Sequence, residues 1–329
     1  MEIINLLDSV ERCESDFKKQ FAEDALRGLT SSHKSISSKY LYDDEGSRLF
    51  KKITELDEYY PTRTEQAILE SMCPVLPEII TEDTLDIIEL GVGDGHKSAI
   101  LIQCLLDKGR YVTYYPIDIS EQAFELLKSN LTSGERYLVK GIVGDYLQGL
   151  EYTFHHSANK KLVLFLGSNI GNFNREEACT LLKRIRSTLN VGDYLLIGFD
   201  LKKDVDRLLR AYNDSEGVTR EFNLNLLRRI NRELDGEFDT NDFEHLALYN
   251  PNLSAMESHL LSLKKQEVAI HALGIRVNFE YYEPIHLEFS FKFNETEIET
   301  LCEQSGFRLV QHFSDPQHYF IDSLWQANV

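Results

Sequence analysis

The chain has 329 residues, enough to bury a sizeable core in one large domain or two smaller ones. Its 35 basic and 54 acidic residues give a formal charge of −19, which disfavours phosphate backbones and anionic membrane surfaces and points to a small-molecule ligand. Five scattered cysteines (Cys13, Cys73, Cys104, Cys179, Cys302) with no C-x-x-C pair read as reduced thiols of a cytoplasmic protein, not as a disulfide frame or metal site. No basic start with a long apolar run marks a signal peptide, and no stretch approaches the ~20 apolar residues of a membrane span.

In chain order, residues 14–30 predict an amphipathic helix with Phe17, Phe21, Ala25, Leu26 and Leu29 on one side. After a polar break, Ser47 is placed to cap a helix carrying Leu49, Phe50, Ile53 and Leu56, and Pro61 sets a corner before another helix. Tyr40, Tyr42, Tyr59 and Tyr60 crowd this stretch. They suit either aromatic packing or a polar-tipped lid over a pocket.

The run LDIIELGVGDGHKSAILIQCLL, from Leu85, organises the rest: a buried strand, a turn with Gly91, Gly93 and Gly95, then apolar residues at helical spacing. Alternating glycines after Glu89 differ from the G-x-G-x-x-G of dinucleotide folds. They match the first motif of Rossmann-like methyltransferases that use S-adenosylmethionine. The α/β alternation continues through YVTYYPIDIS, ending in Asp118 with Ser120 placed to cap the helix EQAFELLKSN. An acid at that strand end suits a ribose diol. Strands ending at Asp145, in KLVLFLGSNIGN and in DYLLIGFD follow, with Asn174 and Glu177 as a capping pair. Then the pattern breaks. Two helical stretches fill Leu201 to about Asp239, QEVAIHAL and IRVNFEYY read as a hairpin, and IHLEFSFKF, a capped helix and two strands close the chain. This predicts a core of residues 66–201 and 286–329, with residues 1–65 and 202–285 forming a smaller α+β cap lobe.

The stretches YLYDDEGSRLFKKITELDEYYPTRTE, ELGVGDGHKS, FLGSNIGNF, the segment from Tyr212 to Asp239 and LEFSFKF together resemble the histidine-specific Nα-methyltransferases that form hercynine for ergothioneine biosynthesis. The resemblance implies a class I methyltransferase core with a seven-stranded, mostly parallel sheet, and a separate substrate-binding lobe. It implies S-adenosylmethionine held by Gly91, Gly93, Lys97, Asp118, Asp145 and Tyr146. Lys97 would reach the methionyl carboxylate, and Asp145 the adenine amino group. It implies substrate binding by Tyr59, Asn172, Tyr212, Met256, Glu288 and Ser290, with Tyr42, Asn172 and Tyr212 closest to the chemistry. Glu288 and Ser290 lie two apart on a strand and so share a face, which suits the two nitrogens of an imidazole.

Two departures from the family's pattern stand out: Asp94-Gly95-His96 in the glycine turn, and Gly167-Ser168-Asn169 where Gly-Gly-Thr is expected. The second lies near the substrate residues and leaves another amino acid, such as tryptophan, as the alternative substrate. A non-catalytic cofactor-binding regulator is the alternative from outside enzymes. No dedicated base stands out, so the amine's proton is expected to go to water. The expected protein is a cytoplasmic monomer, without metal, nucleic-acid or membrane partner.

Overall fold

The computed structural model describes residues 1–6, 10–93, 95–119, 124, 127 and 134–328. Asp94, Ser120 and most of the helix expected after it lie outside these residues. The strands are β1 (Glu2–Asn5), β2 (Thr84–Leu90), β3 (Tyr111–Asp118), β4 (Tyr137–Val143), β5 (Lys160–Phe165), β6 (Tyr194–Asp200), β7 (Phe243–Asn250), β8 (Ala255–Ser262), β9 (Gln266–Ile270), β10 (Ile275–Phe279), β11 (Pro284–Phe291), β12 (Phe307–Ser314) and β13 (Phe320–Ala327). The helices used below are α1 (Val10–Leu29), α2 (Asp44–Glu55), α3 (Tyr60–Met72), α4 (Leu76–Ile79), α5 (His96–Asp107), α6 (Tyr146–His156), α7 (Arg175–Ser187), α8 (Val205–Tyr212), α9 (Val218–Leu234) and α10 (Glu295–Gln304).

The chain divides into two compact units. The first comprises Met1–Asp8, Pro61–Lys202 and Phe293–Val329. Its sheet runs β1-β4-β3-β2-β5-β6-β13-β12, parallel from β1 to β6, with β13 and β12 antiparallel. β5 and β6 are nearly continuous apolar runs because both faces of a parallel sheet are covered. Strand order reverses beside β2, so the carboxyl ends of β2 and β5 flank the point where open α/β sheets bind ligands. This is the class I methyltransferase arrangement, with one correction: the sheet has eight strands, not seven. Residues Glu2–Asn5, expected in the cap lobe, pair in parallel with β4 and extend the sheet edge.

The second unit comprises Ser9–Tyr60 and Lys203–Lys292. It holds the three-stranded antiparallel sheet β11-β8-β7 and the β9–β10 hairpin. Residues Phe21, Leu49, Phe222, Leu227, Leu260 and Ile285 share its core. The expected division put 286–292 with the core and 61–65 with the cap; both assignments are corrected. β11 pairs along its length with β8, carrying Glu288 and Ser290 into the second unit, and Pro61 begins the first unit inside α3.

Three local expectations also change. Asp43, not Ser47, caps α2: its Oδ1 accepts from Gly46 N at 2.8 Å and from Asn225 Nδ2 at 2.7 Å, while Ser47 is exposed. Tyr40 and Tyr60 are core residues, so the four clustered tyrosines do not form one lid. Cys73 and Cys104, expected as free thiols, form a disulfide with Cα atoms 5.2 Å apart. Their sequence separation of 31 carried no hint of it, because the pairing depends on the end of α3 lying beside α5.

Asp43→Ala should destabilise the protein by about 0.5–2 kcal/mol through the lost cap, with a further cost for the orphaned Asn225 amide. Ser47→Ala should stay within ~0.5 kcal/mol of the parent. Urea unfolding of both variants checks this; equal losses would contradict the capping assignment.

Candidate active site

In the first unit, β2 delivers the chain into a turn where Gly91, Gly93 and Gly95 all have positive φ, at 79°, 54° and 70°. A side chain at Gly91 would meet Tyr146 Oη at 2.8 Å, whereas one at Gly93 would enter open space. The turn thus presents bare backbone beside α5, whose first N–H groups have no partner within the helix. Asp118 closes the end of β3 next to this turn, within 3.4 Å of Val92 N. Tyr146 packs edge-on to Phe165, and burial followed by the charges of Asp118 and Glu89 pushes its hydroxyl up to about 12. Asp145 caps α6, with Oδ1 accepting from Leu147 N and Gln148 N at 2.9 and 3.0 Å. Its expected contact to adenine therefore falls to Oδ2.

Lys97 belongs to a network that the sequence did not reveal. It pairs with Glu65, which has no accessible surface and also accepts from Gly167 N at 2.6 Å. Burial works against the Lys97 charge, but Glu65 outweighs it and raises the ammonium's pKa. Behind Glu65 lies the fully buried Asp322. Burial, then Glu65's charge, holds its carboxyl well above the usual range. This arrangement fixes Lys97 and the loop after β5 from one carboxylate. Ser168 in that loop has a φ of 56°, the left-handed conformation that favours the glycine expected here. Its Oγ accepts from Asp200 N at 3.1 Å, giving the hydroxyl a local role. Asn172, at the end of the following turn, is exposed.

The second unit brings most of the remaining predicted residues together. Met256 on β8 stands opposite Ser290 on β11, and Ser258 opposite Glu288. Cross-strand partners share a face, so Met256, Glu288 and Ser290 line one side of this sheet. An irregularity between His286 and Glu288 re-aims the strand just before them. Tyr212, the last residue of α8, donates from its hydroxyl to Ser290 Oγ at 2.7 Å. Its carbonyl accepts from His245 Nε2 at 2.9 Å, and His245 Nδ1 takes a hydrogen from Asn223 Nδ2 at 3.0 Å. Burial lowers the His245 pKa, consistent with this neutral tautomer.

Lys292 was missed by sequence reasoning. It has no accessible surface, and its Nζ donates to Tyr212 Oη at 2.8 Å and Ser290 Oγ at 2.9 Å. The signal was present: Glu288, Ser290 and Lys292 alternate with Phe289 and Phe291, a polar stripe on a buried strand. Glu288 keeps some accessible surface, yet burial raises its carboxyl to about 7 against the opposing charge of Lys292. Tyr42 and Tyr59 flank this unit's aromatic cluster. Tyr42 is 42% exposed and meets Phe50 and Phe222 edge-on, and half-buried Tyr59 meets Phe50.

A family model described as histidine-specific, S-adenosylmethionine-dependent methyltransferase matches residues 21–327. The chain belongs to that family. It is 36% identical over 296 residues to the histidine N-alpha-methyltransferase of Mycolicibacterium smegmatis, covering 89% of this chain and 90% of that one. It is 32% identical to ergothioneine biosynthesis protein 1 of Neurospora crassa, covering 88% of this chain and 33% of that longer protein. An L-tryptophan methyltransferase of Psilocybe serbica is 25% identical over 83% of each chain. Among the described residues no group of side chains could hold a metal ion, and no helix is long and apolar enough to cross a membrane.

Gly91→Ala should abolish measurable S-adenosylhomocysteine binding, because the new methyl meets Tyr146 Oη in a conformation already unfavourable for alanine. Gly91→Ala with Tyr146→Phe should recover part of it. Calorimetry decides; parent-like binding by Gly91→Ala would contradict the assignment. A second expectation concerns pH. With its folded-state pKa raised from 4.5 to about 7, Glu288 holds its proton after the unfolded chain has lost it. Its contribution to stability is present below about 4.5 and lost as pH rises to about 7. Glu288→Gln should flatten that fall in ligand-free urea unfolding; superimposable pH profiles would refute it.

Proposed function

We propose that this enzyme transfers methyl groups from S-adenosylmethionine to the α-nitrogen of L-histidine, in three rounds, to give the trimethylammonium betaine hercynine. One observation carries the substrate reading: Met256, Glu288 and Ser290 occupy one face of the β8–β11 pair, with Tyr212 bonded to Ser290. A carboxylate and a hydroxyl on one face, bordered by a thioether, match a flat polar ring with two nitrogens. The place of Neurospora crassa ergothioneine biosynthesis protein 1 among the relatives supports a role in making that compound's precursor.

The cofactor residues fit S-adenosylmethionine. Gly93 opens space beside an unobstructed backbone, and Asp118 at the β3 end offers acceptors for the ribose diol. Tyr146 Oη restricts what stands at Gly91. Lys97, held by Glu65, supplies a fixed positive charge for the methionyl carboxylate. When bound, the cofactor supplies an electrophilic methyl on a sulfonium sulfur.

The protein's own task is to align an unprotonated amine and keep water from competing. Asn172 is proposed to hold the amino-acid carboxylate through its amide. Tyr59 offers a polar contact, and Tyr212, pinned at both carbonyl and hydroxyl, holds Ser290 in place. Tyr42, in the aromatic cluster, offers a ring face to the methylated cation. The amine gives its proton to water. The protein is proposed to act alone as a monomer in the cytoplasm, on a small molecule and not on nucleic acid.

Glu288→Ala should lower kcat/KM for histidine by roughly 10- to 150-fold, the equivalent of about 1.5–3 kcal/mol for a lost charged hydrogen bond, with S-adenosylhomocysteine affinity retained. Adding Met256→Val should raise relative activity on tryptophan. Steady-state kinetics with histidine, tryptophan and phenylalanine test this. A parent that prefers another amino acid, or an unchanged preference in Glu288→Ala, would overturn the substrate assignment.

A further inference from the structure

The hydrogen-bond directions around Ser290 lead further than the substrate's identity. Lys292 Nζ can only donate, and it donates to both Tyr212 Oη and Ser290 Oγ. Tyr212, already accepting from Lys292, passes its own hydrogen to Ser290 Oγ at 2.7 Å. Ser290 Oγ therefore receives two hydrogens, which fill its two lone pairs. Among the described residues no acceptor takes its single remaining hydrogen. Ser290 is only 6% exposed, so a hydroxyl with no acceptor there is costly until a ligand meets it.

We propose that Lys292 sets the polarity of this subsite: with Tyr212 it leaves Ser290 able only to donate, and its charge opposes a second cation, so the site takes a neutral ring with one N–H and one lone pair and rejects imidazolium. The proposal rests on the histidine reading above and adds to it a tautomer, a charge state and a specificity-determining residue. Glu288, two residues before Ser290 on the same face, accepts the ring's N–H. Ser290 donates to the ring's bare nitrogen. A ring with both nitrogens protonated would present an N–H to a hydroxyl with no lone pair left. It would also place a second positive charge beside a fully buried ammonium.

The other titratable groups on these strands do not compete. His245 is committed to the Tyr212 carbonyl and Asn223. Glu257 and His259 alternate with Met256 and Ser258, so they face the other side of β8, where they bond each other at 2.9 Å. His286 lies beyond the strand irregularity, with its ring against Phe289, and burial lowers its pKa to about 4. Lys292 is thus a positioning residue: it reaches the ring through Ser290 and through its charge.

The test uses L-histidine with 15N in both ring nitrogens, bound to the full-length enzyme with S-adenosylhomocysteine, and read by 15N NMR at about pH 6. This lies below the ordinary imidazole pKa of about 6.5, so free histidine is mostly imidazolium there. The parent should show one protonated and one bare ring nitrogen. Lys292→Met should lose the bare-nitrogen signal and bind the ring doubly protonated. Tyr212→Phe also frees one Ser290 lone pair but keeps the Lys292 ammonium on Ser290, whose charge still opposes imidazolium, so it should keep the neutral ring at weaker affinity. It carries the test if Lys292→Met does not fold, as judged by S-adenosylhomocysteine binding. Two protonated nitrogens in the parent, a neutral ring in Lys292→Met, or a doubly protonated ring in Tyr212→Phe would each overturn the proposal. If labelled histidine does not bind the parent at all, the substrate reading itself fails, and that result is distinct from all three.

Discussion

A lysine ammonium with no accessible surface must be surrounded by acceptors, and that requirement shapes the second unit. Lys292 follows β11, and two of the groups it donates to come from the end of α8 and from its own strand face. Tyr212 has to be held where its hydroxyl can accept, so its carbonyl is tied to His245, and His245 to Asn223 of α9. A charge that would destabilise an apolar core is used to orient two hydroxyls. The polar face of the β8–β11 pair inherits its hydrogen-bond pattern from that constraint.

The first unit solves a related problem with the opposite sign. Glu65, fully buried, is matched by Lys97 and by the Gly167 N–H, while burial and Glu65's charge push the Asp322 carboxyl well above the usual range. One carboxylate from α3 therefore anchors the first turn of α5 and the loop after β5. In each unit a residue implied by the resemblance is positioned by a buried group that lies within the same motifs but to which the resemblance assigns no role: Glu65 for Lys97, and Lys292 for Tyr212 and Ser290.

Much of this was legible in the chain. The apolar runs, the alternating glycines and the acid ending β3 specify the parallel core, since each follows from local backbone chemistry. The split into two units was visible where the α/β alternation breaks. Its boundaries were not, because a strand such as β11 reads alike whether it joins one sheet or another; pairing with β8 decides. The edge strand β1 is only four residues long and partners a strand more than a hundred positions away. The Cys73–Cys104 pair and the Glu65–Asp322 contact likewise join distant segments, and single-sequence patterns do not carry such information. The cap of α2 falls on Asp43 and not on Ser47 because the helix already begins at Asp44, and Asp43 is further held by Asn225 and Arg232, distant in sequence.

The central claim is that the second unit reads histidine for methylation at its α-nitrogen. Its most direct measurement is to incubate the purified protein with S-adenosylmethionine and an equimolar mixture of the common amino acids, then identify every methylated product by mass spectrometry and NMR. The account predicts successive addition of up to three methyl groups to the α-nitrogen of histidine, with its ring nitrogens unmodified. Methylation of a ring nitrogen, preferential modification of another amino acid, or no methyl transfer at all would contradict it.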